Sequence, residues 1–128
     1  MLNILLVEDN ELYRLQFADF LRRKYPSMKI DEAFSEERTL YLVDNYQHDI
    51  VFMDIRLPNA NGIALTSKIK SSYPQIPVVI VTGHDEIEYF QAAEQAGADH
   101  FFTKCNLDRK KIVEILDALI EKKNAIRH

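Results

Sequence analysis

Five short apolar runs alternate with segments of helical periodicity along the chain. The runs predict β-strands at about residues 2–7, 28–33, 49–54, 77–82 and 99–103. In the segments that follow, apolar residues recur every three to four positions, as they do in amphipathic helices. Because several runs are apolar at almost every position, we expect strands that are covered on both faces.

The first and last helices have the clearest apolar stripes. They are predicted at about 11–24 and 107–123, and the first should end before Pro26. We expect the N-cap of the last helix at Asn106 and the basic pair Lys122-Lys123 at its C-terminal end. The stripes that should lie on the sheet are Leu12, Leu15, Phe20 and Leu21 in the first helix, and Ile112, Ile115, Leu116, Leu119 and Ile120 in the last.

Two intervening helices are bounded by cap and stop residues. The second helix is predicted at about 35–46 with Ser35 as its N-cap, and the fourth at about 86–96 with Asp85 as its N-cap. Gly97 should end the fourth helix, because glycine readily adopts the left-handed conformation found just past helix ends.

This alternation of strands and helices predicts a parallel sheet with right-handed crossovers and helices on both faces. The expected fold class is α/β, a three-layer, doubly wound (βα)5 sandwich of the flavodoxin-like type with parallel strand order 2-1-3-4-5. Strands 1 and 3 are then neighbours, and the topological switch point lies between them. Since residues 1–128 contain no linker and no repeat, we expect a single domain.

Composition narrows the possible roles of the chain. The net charge is −4, and the basic residues are scattered, so the domain itself is not expected to bind nucleic acid. Cys105 is the only cysteine, so no intrachain disulfide can form. No apolar run approaches the roughly 20 residues that span a bilayer, and no signal-like segment precedes the first strand. We therefore expect a cytoplasmic protein without membrane contact.

Three acidic residues follow two strands that should be neighbours in the sheet. Glu8 and Asp9 end the first apolar run, and Asp54 ends the third. Clustered carboxylates imply either a raised pKa on one of them or a bound cation. The cation is the more economical interpretation, and Mg²⁺ is typically held by one or two carboxylates together with phosphate oxygens. Asp54 could also attack phosphorus and form an aspartyl phosphate.

Two further strand ends carry groups that could contact a phosphoryl group. Thr82-Gly83 follows the fourth strand, and Lys104 follows the fifth. Together a hydroxyl, a backbone amide and an ammonium can neutralise and orient phosphoryl oxygens. Each feature alone has a structural alternative: Glu8-Asp9-Asn10 as a turn and helix cap, Thr82-Gly83 as a loop, and Lys104 as a solvated side chain. Their occurrence together favours a phosphoryl-transfer site.

Several of these segments resemble the receiver domain of two-component response regulators, and the resemblance covers essentially the whole chain. The similar segments are 5–9 (LLVED), 54–58 (DIRLP) with Gly62, 81–82 (VT), 96–99 (AGAD) and Lys104. The resemblance implies that Asp54 accepts a phosphoryl group from a sensor histidine kinase or a phosphotransfer protein. It implies that Mg²⁺ is held by Glu8, Asp9, Asp54 and the backbone carbonyl of Arg56. Lys104, Thr82 and the backbone of Arg56 and Gly83 would contact the phosphoryl group.

The output implied by the resemblance is a changed surface. Thr82 would move towards the phosphate, and the aromatic residue on the fifth strand, here Phe101, would change rotamer with it. The face formed by helix 4, strand 5 and helix 5 would reorganise to control an effector domain or a downstream protein, with homodimerisation through the same face. The only chemistry implied is self-phosphotransfer and autodephosphorylation, so we do not expect an enzyme with a separate substrate.

Several positions differ from the usual receiver pattern. Cys105 stands where many receivers carry a proline, so we expect a trans peptide bond before it, since a cis bond without proline costs about 2.5–4 kcal/mol. Glu8 replaces the aspartate of some members, and Phe101 lacks the hydroxyl of the frequent tyrosine. Arg56 and His84 flank the site, and we expect them to alter access of the hydrolytic water.

Two other classes of function are compatible with the same crevice. One is a flavodoxin-like module that binds an anionic ligand such as a flavin. The other is a Mg²⁺-dependent phosphohydrolase that acts on small phosphate esters through an aspartyl intermediate. The end of the chain after the last helix fits either a stand-alone receiver or the N-terminal part of a longer regulator with a DNA-binding domain.

Overall fold

The computed structural model describes residues 1–83 and 87–127, and these form a three-layer α/β sandwich. The strands are β1 (Asn3–Val7), β2 (Lys29–Ala33), β3 (Ile50–Met53), β4 (Arg56–Leu57), β5 (Ala60–Asn61), β6 (Val78–Thr82) and β7 (His100–Thr103). The α-helices are α1 (Glu11–Lys24), α2 (Glu36–Asn45), α3 (Gly62–Ser72), α4 (Phe90–Gln95) and α5 (Arg109–Arg127), with short 3₁₀ turns at Ile87–Tyr89 and Lys104–Asn106.

The five longer strands form one parallel sheet in the order β2-β1-β3-β6-β7. Since β6 and β7 are the fourth and fifth strands of this sheet, the predicted order 2-1-3-4-5 is confirmed. All four residues of β3 and all five of β6 are buried, as expected for central strands covered on both faces. The antiparallel pair β4 and β5, two residues each, was not predicted. None of the described helices has the length and apolarity needed to cross a membrane.

Helix α1 has the predicted bounds, but the prediction of its buried face was partly wrong. Leu12 is 67% exposed and Leu15 is 51% exposed. The face on the sheet is instead built around Phe17 and Leu21, which are four residues apart and therefore lie on the same side of the helix. Leu12 is five positions before Phe17, which turns it well away from that side.

Two of the three residues predicted to bound α2 and α4 are confirmed. The Ser35 side chain accepts a hydrogen bond from the backbone N–H of Arg38, which confirms the predicted N-cap of α2. Gly97 follows α4 with a φ of +100°, the conformation expected of a glycine past a helix end. The predicted cap Asp85 lies outside the described residues.

The predicted ends of α5 were wrong at both termini. The helix begins at Arg109, and the side chain of Asp108, not Asn106, accepts a hydrogen bond from the N–H of Lys111. Asn106 belongs to the preceding 3₁₀ turn. Since the helix continues to Arg127, Lys122-Lys123 does not lie at its end. The predicted stripe is correct, because Ile112 and Leu116 are buried and the other three members pack around them.

Candidate functional site

Backbone hydrogen bonds place Glu8 and Asp54 side by side at the carboxyl end of the sheet. The N–H of Asp54 donates to the carbonyl of Val7 over 3.0 Å, and the N–H of Glu8 donates to the carbonyl of Ala33 over 3.0 Å. These bonds extend the β1–β3 and β1–β2 pairing by one residue. The two acids therefore lie at the predicted switch point, on strands held rigid by the ladder.

A single lysine joins these two acids. Lys104 Nζ lies 2.8 Å from Glu8 Oε1 and 3.4 Å from Asp54 Oδ2. The Glu8 side chain is 3% exposed, that of Asp54 is 8% exposed, and that of Lys104 is 20% exposed. Two nearly buried carboxylates thus share one ammonium, which leaves the cluster with an excess of negative charge when both acids are ionised.

The excess charge is reflected in the titration of Glu8. Burial, which disfavours the charged form, is the main cause that raises the pKa of Glu8 from 4.5 to about 7, and the neighbouring Asp54 carboxyl group acts in the same direction. The ammonium of Lys104 and the backbone N–H of Asn10 act in the opposite direction. Near neutral pH, Glu8 is therefore poised between its protonated and charged forms.

The segment after β1 is both a helix cap and part of the site. The side chain of Asn10 accepts a hydrogen bond from the N–H of Tyr13, so it caps α1. The N–H of Asn10 donates to Glu8 Oε2 over 3.0 Å, and Arg14 donates to the Glu8 carbonyl over 3.0 Å. The two interpretations of this segment are compatible, because the turn that starts the helix also fixes the Glu8 carboxylate.

The other predicted metal ligands are less closely assembled. Asp9 is exposed beside Glu8, and Arg56 is exposed in β4, the short strand that follows Asp54. Within residues 1–83 and 87–127, no three acidic, histidine or cysteine side chains are grouped so as to hold a metal ion. The roles of Asp9 and of the Arg56 carbonyl as ligands stay predictions.

The predicted phosphoryl contacts and switch residues lie on the neighbouring strands. Thr82 is buried at the end of β6, opposite Thr103 in the β6–β7 register. Gly83 is next to Lys104, since a Cβ added to this glycine would lie 3.9 Å from the lysine Cδ. Phe101 is half-buried on β7 and packs edge-to-face against Phe90 of α4, with ring centroids 5.5 Å apart. Their movements on phosphorylation stay predictions.

Two of the departures from the receiver pattern can be located. No cis peptide bond occurs in the part of the chain that the structure describes, so the bond between Lys104 and Cys105 is trans as predicted. Cys105 itself is a free, exposed thiol. Arg56 is exposed, and its effect on access of the hydrolytic water stays a prediction, whereas His84 lies outside the described residues.

Sequence reasoning did not assign a role to two residues that shape the site. A Cβ on Gly62 would lie 1.9 Å from the backbone oxygen of Asp54, so only glycine permits α3 to start against the segment that follows β3. Tyr13 of α1 places its ring 4.5 Å from Lys104 Nζ. Burial and the charge of Glu8 raise the pKa of Tyr13 to about 12, so the phenol stays neutral at physiological pH.

Comparison with known protein families agrees with this geometry. The family model "Response regulator receiver domain" matches residues 4–117, which is most of the chain. The structure also superimposes on the signal receiver domain of a DNA-binding response regulator from Colwellia psychrerythraea, with a TM-score of 0.87 and 24% identity over 94% of this chain and 99% of that one. The chain therefore belongs to the response regulator receiver domain family, whose members are phosphorylation-dependent signalling switches and are generally not enzymes.

The chain is also similar to two proteins of Thermotoga maritima. The chain is 33% identical over 118 residues to a cyclic di-GMP phosphodiesterase of Thermotoga maritima. The matched region covers 90% of this chain but only 31% of that protein. It also superimposes on the response regulator TrrA of Thermotoga maritima in complex with Mg²⁺-BeF, with a TM-score of 0.80 and 21% identity over 93% of this chain and 99% of that one. The chain spans about one third to one half of the curated relatives it matches.

Proposed function

We propose that Asp54 is the phosphoacceptor of this receiver and that a sensor histidine kinase or a phosphotransfer protein is its donor. The observation that supports this most strongly is the bridge from Lys104 to both Glu8 and Asp54, at 2.8 Å and 3.4 Å. It joins three strand ends into one charged crevice at the position where doubly wound folds bind their ligands. Membership of the receiver family supplies the reaction.

In the proposed reaction, an Asp54 carboxylate oxygen attacks the phosphorus of a phosphohistidine. A new O–P bond forms while the P–N bond to the donor imidazole breaks, and the imidazole nitrogen keeps the electron pair of that bond. The Lys104 ammonium, the Thr82 hydroxyl and the backbone at Arg56 and Gly83 contact the phosphoryl oxygens. Hydrolysis of the O–P bond by water returns the free carboxylate and inorganic phosphate.

The crevice has the donor chemistry that Mg²⁺ prefers, because Glu8 and Asp54 present two hard carboxylates whose joint charge Lys104 does not balance. We assign Mg²⁺ to Glu8, Asp9, Asp54 and the Arg56 carbonyl. Bound there, the ion would offset the repulsion between the Asp54 carboxylate and an incoming phosphoryl group. The complex of the response regulator TrrA with Mg²⁺-BeF supports this assignment by analogy.

The proposed output passes through Thr82 and Phe101 to the face formed by α4, β7 and α5. A phosphoryl group adds about −1.5 to −2 charge and strong acceptor oxygens, to which the Thr82 hydroxyl can donate a hydrogen bond in the modified state. The packing of Phe101 on Phe90 links β7 to α4, so a rotamer change at Phe101 would alter that face. We propose that this face controls an effector domain or a downstream protein in the cytoplasm and that it forms a homodimer.

Phosphorylation by a small-molecule donor tests the proposed function directly. The chain is incubated with acetyl phosphate in the presence of Mg²⁺ or of excess EDTA, and intact mass is recorded for wild type and for Asp54→Asn. We expect one phosphoryl adduct on wild type with Mg²⁺, little with EDTA and none on Asp54→Asn. An adduct of equal yield on wild type and on Asp54→Asn would refute the assignment.

A further inference from the structure

The ammonium of Lys104 has a third neighbour besides the two acids. Its Nζ lies 4.5 Å from the centroid of the Tyr13 ring, well inside the roughly 6 Å at which a cation is attracted to an aromatic face. The same nitrogen contacts Glu8 and Asp54. One side chain of α1 is therefore in contact with the group that we assign to the phosphoryl oxygens.

The Tyr13 ring is held in place by an aromatic row that leads back to the strand of the phosphoacceptor. Its centroid lies 6.1 Å from that of Phe17, and the two planes differ by 23°. Phe17 in turn packs edge-to-face on Phe52 of β3, with centroids 5.0 Å apart. Phe52 is two residues before Asp54, so the ring has a fixed position relative to the nucleophile.

The contact depends on the ring of Tyr13 and not on its hydroxyl. The Tyr13 oxygen is buried and has no hydrogen-bond partner within the described part of the chain. A buried hydroxyl without a partner does not contribute to stability. Phenylalanine should therefore replace Tyr13 with little loss, whereas an aliphatic residue should not.

An aromatic face suits this position for a physical reason. A third carboxylate near Lys104 would compete with the phosphoryl oxygens for the ammonium protons, while a ring attracts the cation without adding charge or a strong acceptor. The lysine can then turn from Glu8 towards a phosphoryl oxygen and keep its contact with the ring. We propose that Tyr13 is a positioning residue that holds the Lys104 ammonium over the Asp54 carboxylate for phosphoryl transfer, an inference that rests on the proposed function.

The test compares substitutions that keep or remove the aromatic face. Rate constants for phosphorylation by acetyl phosphate with Mg²⁺ are measured for wild type, Tyr13→Phe, Tyr13→Leu and Tyr13→Met, the last as a second variant in case leucine impairs folding. We expect Tyr13→Phe to react within about twofold of wild type and the two aliphatic variants to react about three- to tenfold more slowly. Tyr41→Leu is the matched control, because it removes a cation–π pair with Arg38 on α2, away from the crevice, and should not change the rate.

A second readout needs no phosphodonor. The ring current of Tyr13 should shift the NMR signals of the Lys104 Cε protons upfield, and this shift should persist in Tyr13→Phe and disappear in Tyr13→Leu and Tyr13→Met. A Tyr13→Phe variant as slow as Tyr13→Leu, or Lys104 shifts that do not respond to loss of the ring, would overturn the inference. If wild type formed no adduct while the shifts behaved as expected, the proposed function would fail and the role of Tyr13 in it would fall, but the contact would stand.

Discussion

Acidic side chains contact lysines at both ends of the sheet, but the number of lysines per acid differs between the two ends. At the amino end, Asp49 accepts a hydrogen bond from the backbone N–H of Asn3 over 2.7 Å and lies 2.9 Å from Lys123 Nζ. Asp99 makes an equivalent pair of contacts with the start of β6 and with Lys70. Asp49 and Asp99 therefore each have their own lysine and their own backbone donor.

At the carboxyl end, two acids share one lysine. Glu8 and Asp54 are nearly buried, and Lys104 is the ammonium that contacts both. The acids of the amino end fasten neighbouring strands together, whereas those of the carboxyl end form the cluster to which we assign a metal ion and a phosphoryl group. The number of lysines per carboxylate, rather than the residue types, distinguishes the proposed reactive end of the sheet from the structural end.

The largest expected difference between the two ends is in phosphorylation. Asp54→Asn should abolish the adduct because an amide is not a nucleophile towards phosphorus at neutral pH. Asp49→Asn and Asp99→Asn make the same chemical change at the amino end and should leave the rate of phosphorylation by acetyl phosphate near that of wild type. A loss of phosphorylation in either control would show that the two ends are not independent.

A glycine substitution next to Asp54, the proposed phosphoacceptor, should have the next largest effect. Gly62→Ala places a methyl carbon 1.9 Å from the Asp54 carbonyl oxygen, so the backbone must move, at a cost of about 3 kcal/mol in unfolding free energy. Gly97→Ala is the matched control at φ +100° and should cost about 1 kcal/mol. Urea unfolding measures both. A cost for Gly62→Ala no greater than that for Gly97→Ala would contradict the close approach at Asp54.

The bounds of most elements could be predicted because the inner strands β1, β3 and β6 are nearly continuous apolar runs and most helices have a local signal. The carboxyl ends of parallel strands lie at the same edge of a sheet. The predicted parallel sheet was therefore enough to place the strand-end residues together, namely Glu8, Asp54, Thr82 and Lys104. The contact between Tyr13 and Lys104 could not be predicted in this way, because it depends on the rotation of α1 about its axis. The wrong prediction that Leu12 lies on the sheet has the same cause, because it assumed a different rotation of α1 about its axis.

Other errors have equally local causes. Asn106 and Asp108 are both good capping residues two positions apart, and the 3₁₀ turn that selects Asp108 has no distinctive pattern. The hairpin of β4 and β5 is too short to show an alternation of apolar and polar positions. The importance of Gly62 arises from backbone proximity between segments, which composition does not reveal.

The burial of Glu8 beside Asp54 should make the stability of the fold depend on pH. The pKa of Glu8 is about 7 in the folded chain and 4.5 when unperturbed, so the folded form binds the proton more tightly. The stability that comes from this tighter proton binding is fully present below about pH 4.5 and is lost as pH rises through about 7, a difference of about 3 kcal/mol. Urea unfolding of wild type and Glu8→Gln at several pH values measures it, because the glutamine variant lacks this titration.

Magnesium should reduce that pH dependence if it binds at Glu8. A bound cation favours the charged carboxylate, so Mg²⁺ should raise stability above pH 7 more than below pH 6. The same experiment on Glu8→Gln serves as a control, since the variant should show a weaker response. Identical Mg²⁺ effects at all pH values in both proteins would contradict the assignment of Glu8 as a ligand.

The smallest expected effect is the loss of stability when Lys123, at the amino end of the sheet, is replaced. Lys123→Met removes a partly exposed ion pair with Asp49 and should cost about 1 kcal/mol or less, because the backbone donor of Asp49 remains. Thermal unfolding measures this cost, and phosphorylation should not change. A cost much above that value would mean that the pairs at this end contribute more than their geometry indicates.

The most direct test of the central claim is to map the phosphorylated residue. After reaction with acetyl phosphate and Mg²⁺, borohydride converts an aspartyl phosphate to homoserine, and peptide mass spectrometry locates the altered residue. We predict homoserine at position 54 alone, with Asp49 and Asp99 unchanged in the same sample as internal controls. Homoserine at either of those positions, or unaltered Asp54 after complete reaction, would contradict the claim that the lysine-bridged pair at the carboxyl end is the site of phosphoryl transfer.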